Sequence, residues 1–170
     1  MRALLLALSL LLAGCASFDG HDLVAGRATE QDAIAEMGRP ALELPQPGGG
    51  KALYFSRLPV GRAIFKASFG PDGRLRAIEP TLTRSNIDRI QVGKTTKDEA
   101  RRLLGPPYRV TREPLKPMDT WEYPWREAED RRILWISFSD DGVAGDKIER
   151  HDYESDPPSG PSMGHGGKGG

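Results

Sequence analysis

The residue best placed for covalent chemistry is Cys15, the only cysteine of the 170-residue chain. It closely follows an apolar run from Ala3 to Ala13, which itself follows a single basic residue, Arg2. A basic start, a short leucine-rich segment and small residues before a polar sequence are typical of a secretory signal. The run is too short to span a bilayer, which takes about 20 apolar residues. Because a lone thiol cannot form an internal disulfide, we expect the fold to depend on its apolar core.

The residues around the thiol resemble the lipobox of bacterial lipoproteins, with Leu12, Ala13 and Gly14 preceding Cys15. The resemblance implies that residues 1–14 are a removable signal peptide and that Cys15 becomes the first mature residue, carrying a diacylglycerol and acyl chains such as palmitate. Ala16, rather than an aspartate, comes next, which implies release to the outer membrane with the chain facing the periplasm. The alternatives are an ordinary cleaved signal with a chance cysteine, or a buried N-terminal helix.

The three histidines do not predict catalysis or metal binding. His21 lies near the predicted anchor, His151 near the end of the foldable segment and His165 among glycines, so none belongs to a recognisable catalytic or ligand motif. The acidic pairs Glu129-Asp130 and Asp140-Asp141 fall in predicted turns, which aspartate favours. We therefore expect no enzymatic activity, metal, cofactor or small-molecule substrate. A pocket joining His21 or His151 to acidic residues would reopen the enzyme hypothesis.

Charge and composition narrow the remaining function classes. The chain has 24 basic and 24 acidic residues, and they are dispersed, which argues against a nucleic-acid partner. Residues 153–170 are rich in glycine and proline and lack apolar periodicity, so we predict a disordered tail there. The foldable part is long enough for one ordinary domain or two very small ones.

An internal repeat predicts the helices. Residues 26–40 align without a gap with residues 93–107. In each copy a threonine, Thr29 or Thr96, stands three positions before an acidic residue, as at a capped helix start. A glycine and a proline end each copy, as at a helix terminus. The apolar stripe between these signals consists of Ala33, Ile34 and Met37 in one copy, and of Ala100, Leu103 and Leu104 in the other.

Strand patterns follow each predicted helix. Tyr54 and Tyr123 mark corresponding first strands, and the second strands end at Asp-Gly turns, which favour hairpins. The sequence therefore predicts an α+β fold of two tandem units, each a helix followed by a three-stranded antiparallel meander. The predicted organisation is a signal peptide at 1–14, a lipidated linker at 15–20, a first unit at 21–83, a second unit at 84–152 and the tail at 153–170.

Residues 86–107, followed by Trp121-Glu122-Tyr123 and a hairpin, resemble the SmpA/OmlA (BamE-like) family of outer-membrane lipoproteins. The resemblance implies a protein-binding role in outer-membrane protein assembly or envelope integrity, with envelope proteins such as the β-barrel assembly machinery as partners. This chain departs from the family in having two predicted units, and in Thr95, where methionine is common. A tandem pair also resembles the architecture of β-lactamase inhibitor proteins, which implies, as an alternative, an inhibitor of a periplasmic enzyme.

Strand alternation predicts where partners would bind. We expect Ile64, Ile133 and Trp135 on the wetter face of their strands, and Trp135 stands where the first copy has Lys66. A large exposed aromatic is a favoured interface anchor. The alternative is that the two sheets pack together or that a loop covers the indole. The predicted buried face consists of Phe65, Ala67 and Phe69 in one copy and Leu134, Ile136 and Phe138 in the other. Within the stripe of Trp121, Tyr123 and Trp125, the family resemblance implies that Trp121 and Tyr123 face the helices.

Overall fold

A computed structural model describes residues 19–112, 114–115 and 117–152 of the chain. The described residues form two four-stranded antiparallel sheets with a few short helices, which confirms the predicted α+β class. The elements are α1 (Glu30–Met37), β1 (Leu42–Pro45), β2 (Lys51–Ser56), β3 (Ile64–Phe69), β4 (Leu75–Pro80), α2 (Arg84–Asp88), α3 (Lys97–Leu104), β5 (Arg109–Arg112), β6 (Met118–Glu127), β7 (Asp130–Ser139) and β8 (Ala144–His151).

Helices α1 and α3 begin at the predicted threonines. The Thr29 hydroxyl accepts from the Asp32 amide at 3.3 Å, and the Thr96 hydroxyl accepts from the Glu99 amide at 3.2 Å. In both helices the carboxylate accepts in return from the threonine amide at 2.8 Å, which completes a capping box. Each helix ends at a glycine with φ near +84°, a conformation that costs little without a Cβ.

The first sheet has the strand order β1-β2-β3-β4. Residues 19–56 and 65–80 form one compact unit around it. Helix α1 contributes Ala33 and Met37 to the core, whereas Ile34, predicted on the same stripe, is 40% exposed. The other buried core residues are Ala28, Leu53, Phe55, Ala67, Phe69 and Leu75, with Phe65 partly buried against them.

The second sheet has the order β5-β6-β7-β8, and residues 57–64 and 81–152 form the unit that contains it. Helix α3 lies against one face of this sheet. The Arg101 guanidinium lies 4.8 Å from the centroid of the Trp121 ring, and the Tyr123 hydroxyl donates to the Gly105 carbonyl at 3.1 Å. The buried side chains of β7 on this inner face are Leu134, Ile136 and Phe138, as the strand alternation predicts. Those of β6 are Trp121, Tyr123 and Trp125.

The prediction of three strands per sheet is wrong, because β1 and β5 add a fourth strand to each. Both are four-residue edge strands, and all of β5 is exposed. β5, Arg-Val-Thr-Arg, lacks the apolar alternation of a half-buried strand, and the Leu-Glu-Leu alternation of β1 is only three residues long.

The predicted exposure of Ile64 is also wrong, since this side chain is 0% exposed. Within the second unit, the Ile64 carbonyl accepts from both the amide and the hydroxyl of Thr81, which is itself buried. The Thr81 hydroxyl also contacts the Leu104 carbonyl at 2.7 Å. These bonds hold the first residue of β3 inside the second unit, so Ile64 is removed from the candidate interface.

Candidate protein-binding face

The outer face of the second sheet turns away from α3 and carries Trp135. Strand register places Trp135 beside Glu122 of β6 on one side and beside Ile148 of β8 on the other. Glu122 in turn pairs with Arg109 of the edge strand β5. Cross-strand neighbours on one face lie close enough for their side chains to interact. One row of side chains therefore crosses all four strands.

The apolar part of this row is accessible to a partner. Ile148 is 41% exposed, and Trp135 and Ile133 are partly buried. The Trp135 indole N–H donates to Glu122 at 3.4 Å, which is long, so this bond restrains the ring only weakly. The structure keeps the predicted Trp135 and Ile133 together, and adds Ile148, which sequence alternation on β8 could have indicated.

The opposite face holds the other two tryptophans in the core. Trp121 and Trp125 are 2% and 1% exposed, so the expectation that Trp121 faces inward is confirmed, and Trp125 is buried with it. Burial raises the pKa of the Tyr123 phenol well above its usual range, and the hydroxyl remains a neutral donor. The two faces of this sheet therefore differ: the inner face has a buried aromatic core, whereas Trp135 on the outer face is partly exposed.

An ion-pair cluster closes the end of the inner face. Arg84, at the start of α2, donates twice to Glu127 of β6 at 2.9 and 2.7 Å, and twice to Glu149 of β8 at 2.7 Å each. Its guanidinium lies 4.8 Å from the centroid of the Trp125 ring. The hydrogen bonds with Glu127 and then Glu149 raise the pKa of Arg84, and those same bonds lower the pKa of each carboxyl.

Arg132 extends the cluster along β7. It donates to Glu149 at 2.7 Å and to Asp130 at 2.9 Å. The other oxygen of Asp130 lies 2.9 Å from His151 Nδ1, and that hydrogen bond lowers the pKa of the Asp130 carboxyl. Sequence analysis did not predict this cluster, because its members come from elements far apart in the chain. Its hydrogen bonds join α2 to strands β6 and β8, so the cluster fixes α2 on the sheet.

His21 also lies beside acidic residues, in a groove of about 350 Å³ on the first unit. Its Nδ1 lies 2.9 Å from Asp19 and its Nε2 lies 3.2 Å from Asp22. This is the arrangement that reopens the enzyme hypothesis. The described residues that line this groove are otherwise apolar or glycine, such as Leu23 and Phe65, and include no hydroxyl or thiol nucleophile.

The His21 pair predicts a measurable titration. The hydrogen bond that His21 donates to Asp19, and secondly the charge of Asp22, raise the pKa of His21 above its ordinary value of about 6.5. The interaction therefore stabilises the fold while Asp19 is ionised and His21 is protonated, and it fades as the pH rises through the raised pKa of His21. We expect Asp19→Asn to lower the pKa of His21 more than Asp22→Asn does, measured by NMR titration of the imidazole. Equal effects of the two substitutions would contradict the hydrogen-bonded geometry.

The predicted lipid-attachment site lies outside the described residues. This holds for Cys15, for the lipobox residues Leu12, Ala13 and Gly14, and for the tail that contains His165. In the part of the chain that the structure covers, no helix is long and apolar enough to cross a membrane. Among those same residues, no three His, Cys, Asp or Glu side chains are grouped as a metal site would require.

Comparisons with known proteins add little. No protein-family model matches the chain, and no curated protein matches it either. Among solved structures, the crystal structure of a DUF4309 family protein, YjgB from Bacillus subtilis, is similar at 19% identity over 76% of this chain and 81% of that chain, with a TM-score of 0.29. A likeness of that size does not indicate a function.

Proposed function

We propose that this chain is a lipoprotein anchored in the outer membrane through Cys15 and facing the periplasm, where it acts as a protein-binding module. Its role would lie in outer-membrane protein assembly or envelope integrity, as in the SmpA/OmlA family that its sequence resembles. On this proposal it catalyses no reaction and needs no cofactor. Envelope proteins, including the β-barrel assembly machinery, are the proposed partners.

Matching details of the two sheets support tandem copies of one unit as the finer architecture. Each N-cap threonine forms an isolated antiparallel bridge to the last hairpin of its own sheet, Thr29 with Arg74 and Thr96 with Val143. Each third strand is irregular just before a buried phenylalanine, Phe69 or Phe138. Such shared irregularities are more specific than a shared strand count, because bulges alter local twist and register.

The observation that carries the binding proposal is the partly exposed Trp135 with Ile148 beside it. Both lie on the face of the sheet opposite α3, next to Ile133, and the edge strands β5 and β8 place the charged residues Arg109 and Arg150 on the same face. An apolar centre with a charged rim is the usual anatomy of a protein interface. Tryptophan is the residue type most enriched at the energetic centre of such interfaces.

Capture of partners from detergent-solubilised envelope tests this proposal. We expect Trp135→Ala to weaken the affinity for the captured protein by about 30-fold, since truncating a central tryptophan typically costs about 2 kcal/mol. Ile34→Ala is the control, because Ile34 is 40% exposed and lies on α1 rather than on the second sheet. The proposal fails if both variants capture the partner as well as the unchanged protein does.

The resemblance to β-lactamase inhibitor proteins keeps a second candidate, an inhibitor module that docks on a periplasmic enzyme. The same capture experiment separates the two functions by the identity of the partner. Subunits of the β-barrel assembly machinery support the assembly role. A single soluble hydrolase, whose activity falls when the purified chain is added, supports the inhibitor role.

A further inference from the structure

A second surface of the second unit gathers positive charge. It is a cleft of about 390 Å³ between the end of α2 and helix α3, and its volume falls within the range of ligand sites, about 300 to 1,000 Å³. We call it the basic cleft. Its walls carry Arg89, Lys94, Arg102, Gln91, Glu99 and Leu103.

One tight turn fixes the backbone that carries Lys94. The Gln91 carbonyl accepts from the Lys94 amide at 3.2 Å and from the Thr95 amide at 2.9 Å, and the Thr95 hydroxyl accepts from the Gln91 amide at 2.8 Å. Gly93, with φ +79°, lets the turn close, and its amide donates to the Ala144 carbonyl of the sheet at 2.7 Å. Lys94 is therefore presented from a fixed backbone.

The charge of the cleft is unbalanced. Three cationic side chains, Arg89, Lys94 and Arg102, line it with one carboxylate, that of Glu99. Glu99 is bonded to the Thr96 amide and hydroxyl at 2.8 and 3.1 Å, and these bonds lower the pKa of the Glu99 carboxyl. Glu99 therefore caps helix α3, and the three cations give the cleft a positive electrostatic potential. A concave surface strengthens such a potential.

We propose that the basic cleft binds an acidic segment of a partner protein, two or three residues long, with glutamate or aspartate beside an apolar side chain. The proposal rests on the proposed function as a protein-binding module and names a recognition site for it. Guanidinium groups such as those of Arg89 and Arg102 match carboxylates in geometry. Partly buried Leu103 in the wall offers the apolar contact.

The shape of the site favours a peptide over a membrane surface. A protein binds a bilayer surface through cations on a protruding face, whereas Arg89, Lys94 and Arg102 surround a recess. A recess of this volume holds a few residues of chain, and the side-chain amide of Gln91, which is among the lining residues, is a donor for a peptide carbonyl. The partner segment is therefore expected to be extended and acidic.

Fluorescence anisotropy on the full chain in detergent tests the inference, with a labelled peptide of sequence Gly-Glu-Leu-Glu-Gly and its glutamine counterpart Gly-Gln-Leu-Gln-Gly. We expect the acidic peptide to bind at least about tenfold more tightly than the neutral one, with binding weakened as salt screens the charges. The double variant Arg89→Gln, Lys94→Gln should lose at least about tenfold in affinity for the acidic peptide.

The matched control is Arg27→Gln, Arg39→Gln, which removes the same charge from exposed positions of the first unit. This control should bind like the unchanged chain, and circular dichroism verifies that each variant is folded. Equal affinity for the two peptides, equal losses in the two double variants, or binding to anionic lipid vesicles without binding to the peptide would overturn the inference. If the peptide fails to bind while Trp135-dependent capture from envelope persists, the basic cleft proposal fails alone. If capture fails as well, the proposed function fails with it.

Discussion

Replacing Cys15 with serine should move the protein from the membrane fraction to the soluble periplasmic fraction. The thiol is the predicted acceptor of the diacylglycerol, and the chain has no second cysteine to replace it. Each buried methylene of an acyl chain contributes about 0.8 kcal/mol to membrane binding, so loss of two or three chains removes the anchor almost completely. Labelled palmitate incorporation and detergent-phase partition measure the change.

Ala16→Asp is the matched control for this substitution, since it leaves the thiol in place. We expect this variant to remain labelled by palmitate and membrane-bound, but to shift from the outer to the inner membrane, because the residue after the cysteine directs sorting in lipoproteins that resemble this one. A Cys15→Ser form that still partitions into detergent would contradict the lipid anchor. An Ala16→Asp form that stays in the outer membrane would contradict only the sorting prediction.

Helix boundaries were predictable because their chemistry is local. Thr29 and Thr96 each find their partner carboxylate three residues ahead, and the terminal glycines Gly38 and Gly105 adopt the positive φ expected of them. Each of these signals acts within one helical turn and needs no information about the rest of the fold. The strand-rich part that follows depends on contacts between distant residues.

Several elements were not predictable for the same reason. Helix α2 has five residues, too few to show an apolar period, and the edge strands β1 and β5 are stabilised by pairing with a neighbour rather than by their own pattern. Alternation predicted that Ile64 lies on the exposed face, but the residue is buried and its carbonyl is bonded to Thr81, which comes later in the chain. The Arg84 cluster and the basic cleft likewise require the tertiary fold.

Trp121→Ala should destabilise the second unit by about 3 to 5 kcal/mol, as large-to-small changes in a core do. The Trp121 side chain is 2% exposed, and its ring centroid lies 4.7 Å from that of Phe138. The Arg101 guanidinium lies 4.8 Å from the same Trp121 centroid. Urea unfolding followed by tryptophan fluorescence measures this loss. All three tryptophans of the chain lie in β6 and β7, so the signal reports on the second unit.

Trp135→Ala makes the same chemical change on the opposite face of the same sheet, and we expect it to cost less than about 1 kcal/mol. Trp135 is only partly buried, and its hydrogen bond to Glu122 is long at 3.4 Å. Each variant keeps two tryptophans as reporters. The two unfolding free energies can be compared if the slope of free energy against urea concentration is unchanged. If Trp135→Ala costs as much as Trp121→Ala, then Trp135 belongs to the core. Its loss would then weaken partner capture through unfolding, and the outer face would no longer account for binding.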